Sequence, residues 1–191
     1  ISILLSFFNN NSSLNFVIPT PFYKRPFEFV IGFRSVFLAF IISYGLTVIS
    51  ISVDNFNLGI FGLIITFLTC LGFYSKVEPN FYVWIHSQDP QKFLLSKIKT
   101  ILLFSLALSF PIVVSLLLFY PENWWVIVIF ELLGLLIVII NMLGKYAYFP
   151  SEINIIQALA IVFCVLLPPL MLVVIPYFFT KSINNLSRIL L

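Results

Sequence analysis

The chain is expected to fold as an all-α, polytopic transmembrane helix bundle with about five spans and an N-terminal interfacial elbow helix. Three observations carry that expectation. Hydrophobic residues fill 61% of the 191 positions and charged residues only 9%, far below the rough quarter that water-soluble domains use. The mean hydropathy is +1.13. Apolar runs recur along the sequence, each long enough to cross a hydrocarbon core about 30 Å thick at about 1.5 Å per residue. One long polar interruption, residues 75–99, separates the second run from the third and reads as a solvent-facing central loop with amphipathic character. The whole chain is read as a single integral membrane domain.

Residues 1–20 read as a connector or the remnant of a missing span, because ISILLSFF is too short to cross and IPTP is broken by proline. Residues 21–34, PFYKRPFEFVIGFR, interleave Lys24, Arg25 and Arg34 with aromatic rings, which suits an elbow held at the headgroup level. The first span is placed at 35–53, where Ala39, Ser43, Thr47 and Ser50 fall near one face. The second, 57–74, repeats the device with Gly59, Gly62, Thr66 and Thr69. Small residues at helical spacing let backbones approach closely, so both faces are expected to look inward. The linker VDNF between them carries Asp54 and no basic residue, which makes the pair a hairpin. The third span, 100–119, contains Pro111, expected to kink the helix unless a neighbour satisfies the freed carbonyl. After the turn YPEN, Trp124 and Trp125 open the fourth span, 124–143, as interfacial anchors. GKYAYFPSE then reads as a short polar turn. The fifth run, 153–179, is a helix broken at Pro168-Pro169 and disturbed at Pro176. The tail, 180–191, has the apolar spacing of an amphipathic surface helix.

A net charge of +3, spread over scattered basic residues, does not make the clustered face that nucleic acid binding requires. Orientation in a membrane is a better use for it. Placing the elbow, the central loop and the GKYAYFPSE turn on the cytoplasmic or matrix side puts eight of the ten basic residues inside. Only Lys181 and Arg188 are then left outside, unless the proline-broken run dips in and returns; five full spans are the preferred arrangement. The expected location is an inner (cytoplasmic) membrane or an organellar inner membrane. Cys70 and Cys164 fall inside apolar runs, where a thiol packs as a small hydrophobe rather than joining a disulfide or a zinc site. His86 has no second ligand at metal-binding spacing. No metal and no cofactor are expected.

Glu131 is the ionisable residue lying well inside a predicted span, and it shares a face with Gly134, Val138 and Asn141. An intramembrane carboxyl is costly when charged and unpaired. It is therefore either a proton or substrate contact, or a neutral hydrogen-bonding group against another helix or subunit. Gln157 is a second polar residue within an apolar run, on a face with Ala160, Cys164 and Pro168. In the central loop, Asp89 before Pro90 marks a helix start, predicting a short helix from Pro90 to Lys99. Its residues Asp89, Lys92, Lys97 and Lys99 form a partner-docking surface or the basic collar of the third span. The loop is much longer than reversal of direction needs. Gly59, Gly62 and Gly134 are expected to be helix-packing positions. There is no phosphate-binding glycine loop, no Ser-His-Asp set and no HExxH, so no catalytic activity of its own is expected.

The order of elbow, two spans, a loop ending in DPQKFLLSKIK and a further span with Pro111 resembles the membrane subunits of ABC transporters of the ABC-2 exporter type. The likeness covers residues 21–143 and rests on architecture and on the pattern at Phe93 to Lys97. In that family the loop carries a coupling helix that docks on the ATPase. The resemblance therefore implies a permease whose partners are the lipid bilayer, other membrane subunits and a separate cytoplasmic ATPase. The chain departs from the family by lacking a sixth span and the re-entrant pair before it. The competing class is a non-catalytic structural membrane subunit of a larger respiratory or secretion complex, where aromatic-rich helices fill space between neighbours. A neighbouring ATPase gene favours the first class, and co-purification with a large complex the second.

Overall fold

A computed structural model describes residues 32–74, 89–151 and 155–190. The connector, most of the elbow, residues 75–88 of the central loop and Leu191 lie outside the described residues. Those described are helical throughout, with no strand: α1 (Gly32–Ser52), α2 (Phe56–Leu71), α3 (Pro90–Phe119), α4 (Trp124–Tyr148), α5 (Ile155–Leu166) and α6 (Met171–Leu190). Single 3-10 turns follow α2, precede α4 and separate α5 from α6. Two stretches, Pro90–Phe119 and Pro121–Tyr148, are long and apolar enough to cross a membrane, and Val36–Ser52 and Phe56–Leu71 are shorter apolar helices.

Helices α1 to α4 alternate in direction, and polar groups fill the space between them. Ser43, Thr47 and Ser50 on α1 are buried, as are Gly59, Gly62, Thr66 and Thr69 on α2. The predicted small-residue faces are the faces that meet. Ser43 Oγ donates to the Gly62 carbonyl at 2.6 Å and lies 2.6 Å from Thr66 Oγ1. A Cβ on Gly62 would stand 3.0 Å from both the Ser43 carbonyl oxygen and Thr47 Oγ1, so glycine there sets the spacing of α1 and α2. The outer surface is the reverse: Leu38, Phe110, Leu118 and Leu172 are among many large apolar side chains left exposed. A water-soluble chain buries such residues.

The α1–α2 turn is closed by local chemistry. Asp54 takes a positive φ of 50°, a conformation that Asp tolerates better than most residues. Asn55 caps α2, its Oδ1 accepting from the Leu58 N–H, and Tyr120 from the α3–α4 turn donates its hydroxyl to the Ser50 carbonyl at 2.9 Å.

Helix α3 starts where expected, with Asp89 Oδ1 accepting from the Gln91 N–H and Pro90 in the first turn. The expected short docking helix is not separate from the third span. Nothing between Lys99 and Thr100 breaks the register, so one 30-residue helix, about 45 Å long, runs from Pro90 through Pro111 to Phe119. One turn before Pro111 is the Leu108 carbonyl, which accepts from the Tyr44 hydroxyl at 2.9 Å.

Two further expectations are corrected. The GKYAYFPSE segment is not a solvated turn up to Ser151: α4 continues to Tyr148, and Gly144, Lys145, Tyr146, Ala147 and Phe149 are buried. The reason is α6, which covers that end of α4. Ser182 Oγ donates to the Leu143 carbonyl at 2.9 Å, and Asn185 Nδ2 donates to the carbonyls of Tyr146 and Phe149. Those are carbonyls near the end of a helix, several of which have no intrahelical partner. Replacing Asn185 by Leu is therefore expected to cost about 1–3 kcal/mol. The check is thermal unfolding in detergent beside Asn184→Leu, whose residue is exposed; equal midpoints for the two variants would discount the bridge.

The second correction concerns the last apolar run, which forms a hairpin rather than one broken span followed by a separate tail helix. Ile161 and Phe178 both lie against Gly144 of α4, while Val165 and Met171 reach the level of Gly134 and Phe67. Helix α5 thus runs back along α4 for about 18 Å, the chain breaks at Pro168–Leu170, and α6 returns to the end it came from. The prolines explain the break: neither can donate to the carbonyls of Cys164 and Val165.

Candidate functional site

The polar centre of the four-helix core is built by α3 and α4. Their antiparallel packing brings Ser109, fully buried, to Glu131, and the hydroxyl donates to Oε1 at 2.6 Å. The other carboxyl oxygen, Oε2, is buried without a hydrogen-bond partner among the described residues. One turn before Ser109 on the same face, Ser105 is also fully buried, with the Cys70 thiol as a polar neighbour of its hydroxyl among the described residues. Cys70, a free buried thiol on α2, lies beside Ser105 and Glu131. The cluster thus offers one carboxyl able to bind and release a proton, a hydroxyl anchored to it and a second hydroxyl beside a thiol. No group of three metal-ligating side chains occurs among the described residues.

The shared face of α4 points inward, as its spacing implied, but its members do different work. Gly134 meets the ring of Phe67, which occupies the space a Cβ would need. Asn141 lies about 15 Å along the helix from Glu131 and donates to the Leu71 carbonyl at 3.1 Å. It closes the C-terminal end of α2 rather than extending the carboxyl cluster. Gly59 is also a close-packing position, where a Cβ would fall within 3 Å of Leu116 and Ser50. Gln157 sits on α5, and its side chain lies outside the described residues.

On the first turns of α3, Asp89 serves as the cap, and Lys92 and Lys99 are exposed. Lys97 points the other way, only 4% exposed, with its ammonium 5.4 Å from the centre of the Phe93 ring. Lys92, Leu95, Ser96 and Lys99 make the outward face instead. An apolar groove of about 350 Å³ opens between α2, α4 and the α5–α6 break, lined by Leu63, Phe67, Phe130, Gly134, Val165 and Met171 among others and by no residue of the carboxyl cluster.

Sequence reasoning missed Ser105 and Ser109. The signal is present, since two serines four apart on an otherwise apolar helix share a face, but nothing within α3 says which helix that face meets. No family model matches the chain, and no curated protein or solved structure matches it either.

Proposed function

We propose that the chain is a membrane-spanning subunit of a transporter, with α1 to α4 crossing the bilayer and the energy supplied by a separate cytoplasmic ATPase. The observation that carries this reading is the N-terminal part of α3. At about 45 Å the helix exceeds the hydrocarbon core by roughly 15 Å, and its first turns expose Lys92, Leu95, Ser96 and Lys99 as one continuous face. Being continuous with a span, this helix can pass a push at its tip directly into the bundle. The likeness to ABC-2 exporter subunits points to the same segment.

Charge supports the orientation. Every described basic residue, Arg34, Lys92, Lys97, Lys99, Lys145, Lys181 and Arg188, lies toward one end of the bundle, whereas Asp54 and Glu122 lie at the other. The basic end is assigned to the cytoplasm. Cysteines introduced at positions 92, 99 and 188 are expected to resist an impermeant thiol reagent in intact cells, and those at 54 and 122 to react. The native thiols are both buried. Labelling of 92 and 99 from outside reverses the orientation.

The docking test is charge reversal at Lys92 and Lys99 together, leaving the Asp89 cap intact. Co-purification of an ATPase is expected to fall at least about tenfold while the amount of inserted protein is unchanged. Full retention of every soluble partner removes the support for the reading. A second reading, a structural subunit of a larger membrane complex, is favoured by the exposed α5–α6 break, where Leu166, Leu167 and Leu172 stand out from the bundle. Backbone that leaves the helix at membrane depth is normally covered by protein. Purification with a large complex, and without an ATPase, selects that reading.

A further inference from the structure

Helix α6 is amphipathic along its axis as well as around it. Its first half, Met171 to Phe179, is apolar, with Leu172 and Val173 exposed; its second half carries Thr180, Lys181, Asn184 and Arg188. At the boundary, Pro176, Tyr177, Thr180, Lys181 and Asn184 line an open cleft. The Lys181 ammonium stands 3.6 Å from the centre of the Tyr148 ring and 5.8 Å from that of Tyr177. Aromatic faces hold a cation in place without neutralising it. Of the described carboxylates none pairs with it, and Asp89, the one at this end, is engaged as the cap of α3.

We propose that this cleft binds the headgroup phosphate of an anionic phospholipid, with one acyl chain lying along the exposed Val173 side of α6. Lys181 supplies the charge, the Asn184 amide supplies a hydrogen-bond donor, and Tyr177 sits where an interfacial aromatic belongs, while the Thr180 hydroxyl is spent on the Pro176 carbonyl and lines the cleft only. Arg188, two turns further on, adds a second positive charge toward the water. The lipid covers the open side of the α4–α6 contact that Ser182 and Asn185 hold together. The inference rests on the reading that this end of the bundle faces a leaflet surface.

The test uses the full chain in bilayer nanodiscs of pure phosphatidylcholine or with one fifth phosphatidylglycerol, released into the gas phase for native mass spectrometry. The wild-type chain is expected to retain phosphatidylglycerol over phosphatidylcholine. Lys181→Gln is expected to retain about fivefold less, and Lys92→Gln, at the same end but outside the cleft, to match wild type. Glycerol 3-phosphate at millimolar concentration is expected not to displace the lipid. Equal retention by Lys181→Gln and wild type overturns the proposal, as does an equal loss in Lys92→Gln, which would mean diffuse attraction to the basic end. Displacement by glycerol 3-phosphate also overturns it, by making the site one for a soluble phosphate. Thiol labelling at 188 reports the orientation separately, so specific lipid retention with 188 on the outer side would leave the site standing and move only the leaflet.

Discussion

Gly134→Val is expected to be among the most destabilising single changes in the chain. Even a Cβ at position 134 overlaps the Phe67 ring, and that ring is itself only 5% exposed, so it cannot swing aside without disturbing α2. Overpacking of this kind costs about 1–3 kcal/mol and at times more. Valine should therefore separate α2 from α4 and lower the folded, monodisperse yield in detergent. Gly45 is the control, because a Cβ there meets nothing within 4 Å. Gly45→Ala is expected to be neutral or to gain up to about 1 kcal/mol from helix propensity. Phe67→Leu should rescue Gly134→Ala in part, since neighbours that share a contact are not additive. If Gly134→Ala unfolds at the same temperature as Gly45→Ala, the close approach of α2 and α4 is wrong.

The second large effect is expected at Glu131. Lysine there keeps an ionisable group in an apolar stretch, where insertion scales charge acidic and basic residues alike roughly 2.5–3.5 kcal/mol, but it removes the acceptor of the Ser109 hydroxyl and sets a donor against a donor. The folded, monodisperse yield in detergent should fall well below that of Glu131→Gln. Glu131→Gln separates the two roles open to the carboxyl. The amide oxygen can still accept from Ser109, so assembly should be kept, while proton exchange is lost. Intramembrane hydrogen bonds are worth about 0.6 kcal/mol on average and about 1.7 kcal/mol at most, which is the range expected for Ser109→Ala. A Glu131→Gln chain with full transport activity would leave the carboxyl as a helix-packing group and nothing more.

Several of these features were legible in the sequence because they are local. The inward faces of α1 and α2 follow from side-chain spacing, the start of α3 from Asp89 and Pro90, and the α5–α6 break from two prolines that cannot donate. What could not be read depends on contacts distant along the chain. The last apolar run has the length of one crossing whether it crosses or folds back, and its packing on α4, by Ile161 and Phe178 at Gly144 and by the Ser182 and Asn185 bonds, decides between them. The one hint was electrostatic: a fifth full span strands Lys181 and Arg188 on the wrong side, and a hairpin returns them to the other basic residues. Lys145 and Tyr146 looked like interface because they are polar. They are buried because α6 lies over them, and no pattern within nine residues can report a helix that arrives some 35 positions later.

The hairpin also bears on how the chain is made. On the proposed topology, with α1 to α4 crossing and a half-crossing in place of a fifth span, the described helices enter and leave the bilayer by one leaflet. The described segments that would have to be carried through are then the turns at 53–55 and 120–123, with Asp54 and Glu122 as their charged side chains. Each is a few residues long and neither carries a lysine or arginine. On that topology helices α1 to α4 can be inserted as two successive helical hairpins, carrying across no described segment longer than those turns. The α5–α6 unit, whose capping bonds are made to α4, would then be added last, from the side that also holds the start of α1.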